Sequence, residues 1–194
     1  MLDSLIKVSV NYLVKQNVIN DDDRDVYEYG FHSLYSNVFI FFVIGIGAIL
    51  LNQFAQTIIY HAIFIVMRSV AGGYHARSQW CCFILSVLVW ILSLFAIAYI
   101  NFPIVSIALS LISMIIVWAK APAVHENNPL SDSKRSKMKI LSRILSLLFL
   151  FAVMVLALWN NKNLWVANSI ACGLFTHSTL MIYYLNRKKN EVDT

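Results

Sequence analysis

Residues 80–100 read WCCFILSVLVWILSLFAIAYI, a run of 21 residues without a charged side chain. A helix needs about 20 apolar residues to cross the hydrocarbon core of a bilayer. Hydrophobic residues make up 59% of the 194-residue chain and charged residues only 13%. A soluble domain carries roughly twice that charged share. The sequence therefore predicts an all-α, polytopic integral membrane protein, and its continuous apolar runs argue against an alternating β-barrel.

Five further apolar runs accompany this stretch, and together they predict about six transmembrane helices. The second run is short for a spanning helix, which leaves a tilted, extended or re-entrant segment open. We place the spans at residues 33–51, 54–67, 80–100, 104–119, 140–159 and 165–185. Because no internal repeat or separate soluble domain is evident, residues 1–194 are expected to form one membrane-embedded domain.

The N-terminal region, residues 1–28, is expected to lie at the cytoplasmic interface. Residues 1–20 have the spacing of an amphipathic helix, with one apolar and one polar stripe. The apolar stripe holds Leu2, Leu5, Ile6, Val10 and Leu13, and the polar stripe holds Asp3, Lys7, Asn11 and Lys15. Such a helix lies in the membrane interface or packs on the protein as an ordinary helix, and the pattern favours neither interpretation.

The distribution of basic residues predicts the orientation of the chain. If the N-terminus, residues 68–80, residues 120–139 and the C-terminus share one side, every lysine and arginine except Lys162 falls there. This asymmetry assigns the basic side, and with it both termini, to the cytoplasm. It also explains the net charge of +5 without a nucleic-acid partner.

The three cysteines, Cys81, Cys82 and Cys172, do not form a disulfide framework, since their number is odd and two are adjacent. Their spacing also gives no zinc pattern. We therefore expect neither a metal nor another cofactor. The first thirty residues lack the apolar core of a signal peptide, so no cleaved leader is expected.

A polar break, residues 68–80, contains residues suited to nucleophilic chemistry. It brings His75 and two glycines close in sequence to Cys82. A histidine base and a thiol are the parts of a cysteine nucleophile site. Cations and a helix N-terminus favour the reactive thiolate, and Arg68 and Arg77 lie nearby in sequence. The alternative is a buried small cysteine beside an ordinary loop histidine.

Geometry restricts how His75 and Cys82 meet. Residues seven apart on a straight helix are separated by about 10.5 Å along the axis, whereas a general base works at about 3 Å. If the two residues form a dyad, His75 must therefore lie off the helix that carries Cys82. Gly72 and Gly73 would allow the chain to turn back.

The remaining cysteines and the intramembrane histidines are expected to have structural roles. Cys81 points about 100° away from Cys82 on a helix, which favours core or lipid packing. Cys172 is expected to pack inside its span. For His61 and His177, which lie in apolar runs without acidic neighbours, we expect interhelical hydrogen bonds.

Arg68, Gly72, Gly73, His75, Ala76 and Cys82 together resemble the motif of the accessory gene regulator B family. The stretch with Ala121-Pro122, Asn128-Pro129-Leu130 and the basic residues that follow is similar to that family's second polar loop. Chain length, apolar runs and the basic side agree as well. The spacing from His75 selects Cys82 over Cys81.

The resemblance implies a membrane cysteine endopeptidase of Gram-positive bacteria that processes a quorum-sensing propeptide. Cys82 would be the nucleophile and His75 the general base, with Arg68, Gly72 and Gly73 in support. Cleavage would release an acidic C-terminal tail, and the acyl-enzyme thioester would allow closure of a thiolactone or lactone ring. Lys134, Arg135, Lys137 and Lys139 would bind the acidic tail.

Other functions fit the sequence less well. An ion-coupled transporter usually needs buried charge, and the first four spans hold none. A non-catalytic scaffold would not need a reactive thiol. Peptide export by the same chain stays open as an added role. Small residues in the spans are also compatible with a homodimer, in addition to the expected contacts with the propeptide and with membrane lipid.

Overall fold

The computed structural model describes residues 2–72, 79–123, 131–159 and 161–192, and this part of the chain is helical without a β-strand. The helices are α1 Leu2–Lys15, α2 Arg24–Leu50, α3 Phe54–Ala71, α4 Gln79–Tyr99, α5 Pro103–Lys120, α6 Asp132–Trp159 and α7 Leu164–Val192. Short 3-10 turns at Asp21–Asp23 and Asn161–Asn163 precede α2 and α7. The all-α fold class is thus confirmed.

Within the described residues, four helical segments are long and apolar enough to cross a membrane. They are Asp21–Leu50, Phe54–Ala71, Pro103–Lys120 and Asp132–Trp159. A shorter apolar helix, Phe83–Tyr99, lies within α4. The six predicted spans correspond in position to α2–α7, but neither α4 nor α7 belongs to the four, so the number six is not confirmed. These helices identify a membrane protein.

Helix α7 lies at the centre of the bundle and contacts α3, α4, α5 and α6. Its Leu174 and Met181 are fully buried, together with Met67 of α3 and Val153 of α6. Many large apolar side chains lie on the outside instead, such as Leu92, which is 66% exposed. A lipid environment explains this arrangement, because an outward apolar surface needs no cover there.

Small polar side chains line the contacts between the inner helices. Seven serines of α5, α6 and α7 are buried: Ser106, Ser110, Ser113, Ser142, Ser146, Ser169 and Ser178. Several of them bond to a carbonyl of their own helix, as Ser113 does to Leu109 at 2.7 Å. Small side chains of this kind let helix backbones approach closely, which is how helices pack in membranes.

The connections between helices fall into two groups at opposite ends of the bundle. The end of α4 meets the start of α7, where Asn168 donates hydrogen bonds to the carbonyls of Ile97 and Ile100. A cavity of about 230 Å³ lies at this end, beside Gln53 at the start of α3. The ends of α3 and α5 meet at the other end of the bundle, where Gly72 pairs with Ala123.

Four helix boundaries differ from the predicted spans by four residues or more, and local chemistry explains two of them. Helix α7 ends at Val192 instead of residue 185. Helix α3 continues past residue 67 to Ala71, which makes it 18 residues long, because Gly72 is the first residue to leave the helical conformation. Helix α6 begins at Asp132 instead of residue 140. Its first turn contains the acidic residue that a helix N-terminus favours. Helix α2 begins at Arg24 instead of residue 33.

The amphipathic N-terminal helix ends at Lys15, earlier than the predicted residue 20, and packs on α2. Its Ile6 and Val10 are 3% and 0% exposed and contact a cluster that includes Tyr35. Ser9 also forms a 2.9 Å hydrogen bond with the Tyr35 hydroxyl. The packing interpretation is therefore confirmed for Ile6, Val10 and Leu13 of the predicted apolar stripe, whereas Leu5 is 52% exposed. Outside this stripe, Val8 is 65% exposed.

Candidate functional site

The polar break at residues 68–80 is the predicted catalytic segment, and the structure describes only its two ends. Gly73 and His75 lie outside the described residues, as does the side chain of Cys82. The contact between the His75 imidazole and the Cys82 thiol therefore stays a prediction. The borders are the end of α3, with Arg68 and Gly72, and the start of α4.

Cys82 lies on the first turn of α4, which begins at Gln79. This confirms the expectation that Cys82 follows closely after the start of its helix. The first four backbone N–H groups of a helix have no partner within that helix, and the helix dipole places partial positive charge there. A reactive thiolate at Cys82 stays a prediction, and its position on the first turn of the helix is compatible with it.

Gly72 forms the end of α3 in a conformation that requires glycine. Its φ is 75° and its ψ is −170°, a region that residues with a Cβ essentially do not enter. A Cβ at this position would also collide with the carbonyl oxygen of Ala123. The Gly72 N–H donates to the Arg68 carbonyl at 3.1 Å. The predicted supporting role of Gly72 thus has a structural basis.

A short parallel backbone pairing joins the end of α3 to the chain that follows α5. The Ala123 N–H donates to the Ala71 carbonyl at 2.8 Å, and Gly72 and Ala123 form an isolated parallel bridge. In a parallel bridge the two chains pass each other in the same direction. The chain therefore enters residues 73–78 and residues 124–130 from adjacent points.

His177 of α7 contacts the same junction. Its Nε2 donates to the Gly72 carbonyl oxygen at 2.9 Å, and the side chain is 2% exposed. The expected interhelical hydrogen bond is confirmed for His177. For His61 the described residues give a bond within its own helix instead, from its Nδ1 to the carbonyl of Thr57 at 3.0 Å. The sequence alone does not reveal that the carbonyl of Gly72 is the partner of His177.

Arg68 lies on the last turn of α3, one turn before Gly72, and is half-buried. A cation is favoured at this position because the helix dipole places partial negative charge at the C-terminus. Since the Arg68 carbonyl accepts the Gly72 N–H, Arg68 belongs directly to the border of the catalytic segment.

The predicted substrate-binding residues lie on a helix and not in a loop. Lys134, Arg135, Lys137 and Lys139 occupy the first two turns of α6, and all four are exposed. We call these two turns the basic turns. Cations oppose the dipole at a helix N-terminus, so helix stability does not explain this charge.

Arg143 fixes the end of α6 that carries the basic turns to the end of α5. Its guanidinium donates to the Trp118 carbonyl at 3.0 Å and lies 5.7 Å from the centroid of the Trp118 ring. The Trp118 indole in turn donates to the Ser146 hydroxyl at 3.2 Å. The basic turns are therefore held at the same end of the bundle as Gly72 and Ala123.

The other two cysteines differ in their surroundings. Cys172 is 5% exposed and packs in a cluster with Tyr60 and Trp90, so its predicted packing role is confirmed. Cys81 is exposed on α4, which fits the lipid-facing alternative. In the described part of the chain, no group of three or more His, Cys, Asp or Glu residues has a metal-binding arrangement.

Comparison with known proteins gives one consistent family. The family model described as accessory gene regulator B matches residues 6–183. The accessory gene regulator protein B of Staphylococcus carnosus is 27% identical over 125 residues, which are 62% of this chain and 65% of that protein. The protein of the same name from Staphylococcus saprophyticus is 29% identical, with the same two coverages.

A third relative, accessory gene regulator protein B of Staphylococcus aureus, is 29% identical over 156 residues, which are 79% of this chain and 83% of that protein. The chain spans slightly less than two thirds of the length of the Staphylococcus carnosus and Staphylococcus saprophyticus proteins. No solved structure matches. Since the family model covers nearly the whole chain, the chain belongs to the accessory gene regulator B family.

Proposed function

We propose that this protein is a membrane cysteine endopeptidase that removes the C-terminal tail from a small quorum-sensing propeptide. Membership of its family places the chain in accessory gene regulation. The observation that carries the proposal is how the structure holds the two ends of the catalytic segment. Its entry at Gly72 is bonded to two other parts of the bundle, and Cys82 follows its exit on the first turn of α4.

The first half of the reaction forms an acyl-enzyme. The His75 imidazole takes the proton of the Cys82 thiol, and the sulfur attacks a backbone carbonyl of the propeptide. When the peptide C–N bond breaks, the imidazolium returns the proton to the leaving amine. The C-terminal tail departs with a new amino group, and the rest of the propeptide stays attached to Cys82 as a thioester.

The second half of the reaction closes a ring. A side-chain thiol or hydroxyl of the bound peptide attacks the thioester carbonyl, loses its proton and displaces the Cys82 sulfur, which takes up a proton. The product is a thiolactone or a lactone. Because a thioester keeps most of the activation of the acyl group, this step needs no ATP, but it needs protection from water. The apolar surface of α4, with Ile84 and Leu88 exposed, would place the site at the edge of the lipid.

The basic turns are proposed to bind the acidic tail of the propeptide. Four exposed cations on consecutive helical turns form a positive surface for a peptide carboxylate cluster. Both the basic turns and the catalytic segment are connected to the end of the bundle where α3 and α5 terminate. A propeptide could therefore contact both at once.

The protein is proposed to be a multi-pass protein of the bacterial cell membrane, with both termini and the active site on the cytoplasmic side. The basic residues indicate this orientation. The cytoplasm also keeps thiols reduced, as a cysteine nucleophile requires. A homodimer remains part of the proposal, as do the propeptide and membrane lipid as partners.

Co-expression with a propeptide, followed by mass measurement of the products, tests the proposal. Cys82→Ser and His75→Ala should abolish cleavage while membrane insertion stays normal. Cys81→Ser is the matched control, since it changes the neighbouring thiol and should leave cleavage intact. Cleavage that persists in the Cys82→Ser or His75→Ala protein would refute the dyad. It would leave a scaffold or an exporter as the explanation.

A further inference from the structure

We infer that His177 is a positioning residue, whose ring N–H fixes the direction in which the catalytic segment leaves α3. This inference rests on the proposed function. His177 is far from Cys82 in sequence and lies inside the apolar bundle. It nevertheless forms a hydrogen bond with the carbonyl of Gly72, the last described residue before residues 73–78.

The hydrogen bond has a defined direction. A carbonyl oxygen only accepts, so the Nε2 of His177 must donate to the oxygen of Gly72. The Nδ1 of His177 is buried and has no hydrogen-bond partner among the described residues. An apolar side chain would avoid this buried polar atom. The bond to Gly72 is thus the only hydrogen bond that the described structure gives the imidazole.

The bond acts on the next residue through covalent geometry. A peptide group is planar, so the oxygen of one residue and the nitrogen of the next move together. A fixed Gly72 oxygen therefore sets the plane from which the chain continues towards His75. The Gly72 peptide plane needs such a fixed orientation, because glycine has more backbone freedom than any other residue.

Two further bonds complete the junction. The Gly72 N–H donates to the Arg68 carbonyl at 3.1 Å, and the Ala71 carbonyl accepts the Ala123 N–H at 2.8 Å. These two bonds hold the backbone up to Gly72. The His177 bond holds the carbonyl group of Gly72 itself, and it comes from a different helix, α7.

Two amide variants of His177 separate positioning from packing. In His177→Gln, the side-chain amide reaches about as far as Nε2 and keeps a donor towards Gly72. In His177→Asn, the amide is one methylene shorter and does not reach. The assay measures propeptide cleavage by the full-length protein in proteoliposomes, with His61→Asn as the control for loss of a half-buried histidine within the bundle.

We expect His177→Asn to lower kcat by about tenfold to a hundredfold, since small misplacement of reacting groups has effects of this size. KM should change little, and His177→Gln and His61→Asn should stay near the wild-type kcat. A wild-type kcat for folded His177→Asn would overturn the inference. So would an equal loss in folded His177→Gln. If His177→Asn does not fold, the kcat of His177→Gln is used alone. A kcat near the wild-type value supports the inference, and a tenfold or larger loss overturns it.

Hydrogen exchange distinguishes a failure of this inference from a failure of the proposed function. Exchange at the Ala123 amide should quicken in His177→Asn and stay slow in His177→Gln, whatever reaction the protein catalyses. Unchanged exchange in His177→Asn would overturn the anchoring role. Cleavage that survives Cys82→Ala would instead refute the proposed function, while the exchange result would still report on His177.

Discussion

The indole N–H of Trp90 on α4 donates a 3.1 Å hydrogen bond to the hydroxyl of Thr57 on α3. Both residues are buried, and the bond holds the large ring against α2. A Cβ at Gly47 of α2 would stand 2.8 Å from the tip of that ring. The ring has little freedom to move away, because its nitrogen is fixed to Thr57.

Gly47→Ala should therefore destabilise the protein by about 1–3 kcal/mol, the usual cost of overpacking a core. Gly45→Ala is the matched control on the same helix, since a Cβ there meets no atom within 4 Å. Alanine has the better helix propensity, so this control should be neutral or stabilising by up to about 1 kcal/mol. Thermal unfolding in detergent measures both variants, and equal melting temperatures would contradict the packing at Trp90.

Asn168→Leu should destabilise the bundle at the end opposite the catalytic segment. Asn168 donates to the carbonyls of Ile97 and Ile100 and accepts from the Ser106 hydroxyl. Its loss leaves buried polar groups unpaired, at about 1–3 kcal/mol for each such group. Ser169→Ala is the control, because its hydroxyl bonds only within its own helix in the described structure. The readout is again thermal unfolding, and a Leu variant as stable as the Ala variant would argue against this capping role.

Cys82 should react with a small alkylating reagent faster than Cys81, and both should react faster than Cys172. Both neighbouring cysteines lie on the first turn of α4, but the proposed His75 base would activate only Cys82, whereas Cys172 is only 5% exposed. Peptide mapping by mass spectrometry after timed labelling gives the three rates. His75→Ala should slow the labelling of Cys82 alone. A Cys82 rate that equals that of Cys172 would contradict an activated thiol.

Single charge reversals in the basic turns should raise KM for the propeptide and leave kcat nearly unchanged. Each exposed ion pair contributes about 0.2–1 kcal/mol, and a reversal replaces that attraction with a repulsion of similar size, so Lys134→Glu or Lys137→Glu should raise KM by no more than about thirtyfold. The effect should shrink as salt screens the charges. Lys162→Glu is the control, since Lys162 is exposed near the start of α7, at the opposite end. An equal change in KM for Lys162→Glu would show a non-specific charge effect.

The sequence predicted the helical membrane fold because long apolar runs without charge leave few other structures. It predicted the start of α4 within one residue of Gln79. It misplaced the start of α6, because the mean hydropathy of Lys134 to Lys139 resembles a loop. Hydropathy records burial in lipid, whereas a helix can continue into water when its residues favour that conformation.

For the candidate site, the features that are local in the sequence could be predicted, and the contacts between distant residues could not. The motif around Gly72 predicted the catalytic segment, since spacing along the chain is visible in a sequence. The contacts of Gly72 with Ala123 and His177 join residues 51 and 105 positions apart in the chain. A single sequence carries no record of such pairs. His177 could be recognised only as a polar residue in an apolar run.

The pairing of Gly72 with Ala123 has a consequence for chimaeras made from family members. A graft that exchanges residues 68–82 but keeps the host's residues 121–139 would join two partners that were never selected together, because residues 71 and 72 would then come from one parent and residue 123 from the other. Transplants should therefore take both stretches as one module, with the residue at position 177 included. Recombination points fall best in the connections at the far end of the bundle, where neither stretch is cut.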